Sequence, residues 1–154
     1  MAAGLNEILA AGAFDVRRFP EGTRTADDAA RAVGCTIGQI VKSLVFVAGD
    51  RPVIALVSGS NRLDTARLAA ALDDGLPVKK ADAETTHAVT GFAIGGVPPF
   101  GHLSTLPVFI DPDLLRYEVV WAAAGRPDSV FEITPQRLLE LSGAIVTDLR
   151  EERE

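Results

Sequence analysis

One lysine set among apolar residues is the first place to look for chemistry. Lys42 stands in the run Gln39-Ile40-Val41-Lys42-Ser43-Leu44-Val45-Phe46. On an extended strand the side-chain period of two places it with Ile40, Leu44 and Phe46, opposite Val41, Val45 and Val47. Two uses are open for such a lysine. Its stem can cover apolar surface while the ammonium reaches water, or the ammonium can be partly desolvated and aimed into a pocket, where it pulls harder on an oxyanion or phosphate. The second candidate is the segment Phe92-Ala93-Ile94-Gly95-Gly96-Val97-Pro98-Pro99-Phe100-Gly101-His102. Gly95 and Gly96 have no Cβ, so their amides can approach a ligand and form a hole for a carbonyl turning tetrahedral, while Pro98 and Pro99 stiffen the loop. A tight turn between strands is the other reading. No Gly-Lys-Ser/Thr follows, and the Gly-x-Gly-x-x-Gly spacing is missing, so neither nucleotide-binding loop is expected.

Other residues point to less. His102 can serve as a general base, as a substrate contact or as a hydrogen-bonded surface histidine, and His87 lies in a polar helical turn where exposure is expected. There is no Gly-x-Ser-x-Gly elbow, and Cys35 has no evident histidine partner, so it is expected as a core thiol. Trp121 and Phe100 are core candidates that can also stack on a base or line a pocket. One cysteine and two histidines exclude an internal disulfide and leave too few ligands for zinc, so no metal and no cofactor are expected. Arg17/Arg18, Arg24 and Lys79/Lys80 are basic positions able to meet phosphates.

The elements that must hold these residues are legible from caps and periodicity. A first helix is expected over 3–13, then a short strand and a turn around Pro20 and Gly22. Thr25 and Asp28 have capping-box spacing for a helix that ends at Gly34. Apolar runs 40–48 and 53–58, joined by Gly49-Asp50-Arg51-Pro52, read as a hairpin covered on both faces. A helix from Asp64, a strand at 77–80 and a helical turn ending at Gly91 follow. After the glycine loop come strands in PVFID, EVVWAAA and SVFEI, a helix capped by Thr134 and Gly143, and a last strand in AIVTDL. The pattern is an α+β domain around a mixed, mostly antiparallel, barrel-like sheet flanked by helices.

The 154 residues, 47% of them hydrophobic, suit one domain spanning 1–154. The net charge of −6 argues against broad electrostatic binding to nucleic-acid backbone, DNA included. Glu151, Glu152 and Glu154 in the run DLREERE are expected as a solvated tail. No export signal and no membrane-spanning run is evident, so a cytoplasmic protein is expected.

Taken in order, the Gln39 to Phe46 run, Gly91-Phe92 with Gly95-Gly96-Val97-Pro98-Pro99-Phe100-Gly101, and Ala124-Gly125 resemble the YbaK/ProX family, the prolyl-tRNA-synthetase-associated domain. The likeness covers roughly residues 5 to 149. It implies a trans-editing deacylase that hydrolyses the ester of mischarged tRNA, most often tRNA for proline carrying a small wrong residue such as alanine, serine or cysteine. Its partner would be the tRNA acceptor end, with prolyl-tRNA synthetase as a candidate protein partner. By resemblance, Lys42 matches the essential lysine, Ser43 a small polar position beside it, and the Gly95 to Gly101 segment the substrate-binding loop. Lys42 would hold the aminoacyl carbonyl or the terminal nucleotide, the Gly95 and Gly96 amides the oxyanion, and water would attack without a metal. Val97, Pro98, Pro99, Phe100, Gly101 and His102 would line the substrate site, with Ala123, Ala124 and Gly125. Relatives often carry serine or histidine where Ala122, Ala123 and Ala124 stand, which argues for a small, weakly polar substrate side chain. A non-catalytic module binding a tRNA end, a small ligand or a protein on the same fold is the alternative.

Overall fold

The computed structural model describes residues 4–152; Ala3 of the expected first helix and Glu154 of the expected tail lie outside them. In chain order the elements are α1 (Leu5–Ala11), β1 (Val16–Arg18), α2 (Ala26–Val33), β2 (Val41–Ala48), β3 (Arg51–Ser58), α3 (Thr65–Leu72), β4 (Val78–Lys80), α4 (Ala83–Thr90), β5 (Val108–Ile110), β6 (Val120–Ala123), β7 (Ser129–Ile133), α5 (Pro135–Ser142) and β8 (Ile145–Val146). Two 3-10 turns, Ile37–Gln39 and Pro112–Arg116, carry no periodic signal in the sequence.

Local chemistry explains most boundaries. Thr25 Oγ1 accepts the Asp28 N–H at 3.1 Å, and Gly34 closes α2 in the left-handed region at φ 78°. Asp64 caps α3, and Thr134 and Gly143 bound α5. The hairpin turn is tighter than the sequence implies: Gly49, at φ 67°, and Asp50 alone connect β2 and β3, with Ala48 paired to Arg51 and Val47 to Pro52. Pro52 is tolerated inside β3 because its missing N–H falls on the β5 side, ahead of the first β3–β5 pair at Ile54.

The strands make two sheets rather than one continuous wall. One is antiparallel, in the order β1-β7-β6; the other is mixed, in the order β4-β2-β3-β5-β8, with parallel pairing only at β3–β5 and β5–β8. An Ile40–Trp121 bridge links them. β3 is buried from Val53 to Ser58. Ile54 and Leu56 pack with Phe131 and Leu138, while Val53, Ala55 and Val57 pack with Leu68 and Leu149. The expected solvated tail docks in part: Leu149 is fully buried, and Glu151 N–H donates to Arg62 O at 2.8 Å. Among the described residues no helix is long and apolar enough to cross a membrane.

Candidate active site

The site begins where a strand stops. β4 pairs only with Phe46 to Ala48 of β2, and Ala81 N–H adds one bond to Val45 O at 3.0 Å. Asp82 then caps α4 by accepting the Thr85 N–H at 2.7 Å, turning the chain out of the sheet. Among the described residues, no strand covers Val41 to Leu44 on that edge. There the sheets part, and a cavity of about 310 Å³ opens between β2, β6, α2 and the loop after α4. Ala26 and Ala29, three apart on α2, keep that helix face thin beside it.

Lys42 lines this cavity, and its ammonium donates to the backbone oxygen of Asn61. The side chain is therefore tied to the protein rather than extended into water. Ser43, next along the strand, faces the Val41 and Val45 side. Its Oγ is buried with no hydrogen-bond partner among the described residues, the one such side-chain atom found there. A buried hydroxyl left unpaired costs about 1–3 kcal/mol, so a polar atom in the cavity would stabilise it.

The glycine loop divides its duties. Gly95, at φ 89°, lines the cavity beside the Arg24 side chain, as does Val97. Gly96 does not line it. Its N–H closes a turn on Ala93 O at 2.9 Å, and a Cβ at this position would lie 2.9 Å from the Arg126 backbone. Of the two glycines expected to flank a carbonyl, only Gly95 reaches the cavity wall, and close packing accounts for Gly96. Pro98 and Pro99 are buried behind the loop, and Pro98 O accepts from His102 Nε2 at 2.6 Å. A carbonyl can only accept, so His102 carries its proton on Nε2. Burial pushes the His102 pKa below 6.5, against the opposing bond to Pro98.

Several expected contacts therefore sit behind the wall. Phe100 is 3% exposed and packs its ring against Phe14 and Phe131, with centroids 6.5 and 5.8 Å away. Gly101 lets the Leu5 backbone approach. Ala123 lines the cavity with Ala122, whereas Ala124 and Gly125 form the turn between β6 and β7, where Ala124 N–H donates to Ser129 O at 2.9 Å.

Three lining groups escaped the sequence reading of the site. Arg24 and Lys80 were visible only as basic positions; both are exposed at the cavity, and neither joins an ion pair among the described residues. Thr86 is buried with Thr90 on the inner stripe of α4, where Val89 is half-buried, a helical spacing obscured by its polar residues. Trp121 is buried, lines the cavity, and carries the Arg17 guanidinium 5.0 Å above its ring. Cys35 is half-buried, which raises its thiol pKa.

Residues 20–141 match the family model of the aminoacyl-tRNA editing domain. A solved structure described as a "putative trans-editing enzyme for prolyl tRNA synthetase" shares 46% identity and a TM-score of 0.88, over 99% of each chain. The uncharacterized protein YwhH of Bacillus subtilis is 31% identical over 83% of this chain and 81% of its own length. EbsC of Enterococcus faecalis, named a "putative Cys-tRNA(Pro)/Cys-tRNA(Cys) deacylase", is 29% identical over 77% of this chain and 72% of its own.

Proposed function

Because the chain belongs to the YbaK/ProX family of aminoacyl-tRNA editing domains, we propose that it hydrolyses mischarged tRNA in trans, with tRNA for proline bearing a small wrong amino acid as substrate. The observation that carries this reading is the sharing of one small cavity by Lys42, Ser43, Gly95 and the Ala122–Ala123 wall. An ammonium has three N–H donors, so Lys42 serves a substrate carbonyl while keeping its bond to Asn61 O. The Gly95 amide assists as negative charge grows on that oxygen. Water adds to the carbonyl carbon, the tetrahedral intermediate collapses, and the ribose oxygen leaves with a proton from the attacking water. Free amino acid and uncharged tRNA result.

The alanine wall supports a short side chain, and the Ser43 hydroxyl offers an acceptor for the substrate's α-ammonium. Arg24 and Lys80 at the mouth suit the phosphates of the terminal nucleotides. Hydrolysis is the remedy for a synthetase pocket that separates small substrates poorly by binding alone. The test is a panel of alanyl-, seryl- and cysteinyl-tRNA for proline. We expect at least one ester to be cleaved faster than in buffer, and Lys42→Ala to lose on the order of a hundredfold in kcat. Saturable binding with no turnover of any ester would instead establish a non-catalytic module.

A further inference from the structure

The turn that receives the Lys42 ammonium is itself held from behind. Asn61 follows β3 and closes a turn through its N–H to Ser58 O at 2.9 Å. Its side-chain Nδ2 donates to Asp111 Oδ2 and Asp113 Oδ2, both at 2.8 Å, so both amide hydrogens are committed. Asp111 is fully buried and also accepts the Ser58 N–H at 3.1 Å and the Asp113 N–H at 2.9 Å. A buried carboxylate persists only where such donors replace its water. From the outside, Arg150 donates to Asp113 Oδ2 at 3.1 Å, and the C-terminal segment pairs with the turn through Asp64 N–H to Leu149 O and the Leu63–Arg150 bridge.

We infer that Asn61, braced by Asp111 and Asp113, is a positioning residue that fixes where the Lys42 ammonium stands. Lysine is a point charge on a flexible stem, and a carbonyl on a turn locked through its own side chain gives that charge a defined seat. The brace draws on three segments distant in sequence, so it stays rigid when the cavity fills. None of its acids lines the cavity, which leaves the substrate to meet the cation. The catalytic half of this role rests on the deacylase reading; the seat itself does not.

The chain has only three lysines, Lys42, Lys79 and Lys80, so ammonium NMR with nitrogen labelling reads Lys42 directly. In the unmodified protein its ammonium should be motionally restricted and protected from exchange, unlike the exposed Lys79 and Lys80; an equally mobile Lys42 overturns the inference before any variant is made. In Asn61→Ala, checked by its melting curve, the restriction should vanish while kcat falls on the order of tenfold to a hundredfold and KM stays within about twofold. Asp148 accepts from Arg150 Nε at 3.1 Å and touches neither Asn61 nor Asp111, so the outer variant Asp148→Asn should leave both unchanged. A Lys42 as ordered in Asn61→Ala as in the parent, or a kcat that survives its loosening, refutes the positioning role. Ordered Lys42 in a protein that cleaves no ester would sink the deacylase reading and leave the seat standing.

Discussion

Ser43 and Gly96 show that a residue's worth in this site depends on which of its atoms has a partner. The Ser43 hydroxyl is buried without a hydrogen bond among the described residues, so Ser43→Ala should raise stability by about 1 kcal/mol in denaturant melts. If the hydroxyl receives the substrate's α-ammonium, the same variant should raise KM, measured on whichever tRNA the panel identifies. A more stable variant with unchanged KM would remove Ser43 from the site. Gly96 makes the opposite case. Its amide is spent in a turn and its Cα packs on the Arg126 backbone, so Gly96→Ala should lower stability by about 1–3 kcal/mol through overpacking. Gly95 combines a left-handed backbone with a place on the cavity wall and answers to both demands.

At the scale of the element, the loop from Phe92 to His102 behaves as a brace with one titratable tie. His102 holds Pro98 O through Nε2–H, and burial keeps its folded-state pKa below 6.5. The unfolded chain therefore takes up a proton first as pH falls. The stabilisation is fully present above pH 6.5 and drains as pH drops below it toward the folded-state value. Melting curves just above and below that pH should show the loss, and His102→Gln, whose amide can still donate to Pro98 O, should flatten it. An unchanged slope would mean that His102 titrates alike in both states. The early end of β4 is the second consequential element. The Asp82 cap that starts α4 leaves the edge of β2 open, and the cavity occupies that gap.

For the whole molecule, charge placement matters more than charge total. The chain carries −6 overall, yet Arg24 and Lys80 stand at the cavity, while Arg18 and Arg126 are drawn to Asp128 at 3.0 and 3.3 Å. If the two rim cations meet single-stranded phosphates, each neutralised contact contributes about 0.7 to the slope of log affinity against log salt. Arg24→Ala and Lys80→Ala should each flatten that slope by about this amount in tRNA-binding titrations and leave kcat at saturation little changed. Arg18→Ala should alter neither; an equal effect there would place the RNA elsewhere.

The sequence alone was enough for the elements and the family, because caps, left-handed glycines and a period of two are local properties that neighbouring residues dictate. It placed Lys42 on a strand, gave its face and predicted the helix ends at Gly34, Gly91 and Gly143. It did not reveal what stands opposite a face. That the Lys42 ammonium meets Asn61, that Gly96 is packed by Arg126, that Phe100 joins Phe14 and Phe131 in the core, and that the acidic terminus docks on the Arg62 turn are contacts between segments distant in the chain. Only tertiary packing decides them, since each hydrogen bond or close approach exists because two independently folded segments are brought within reach.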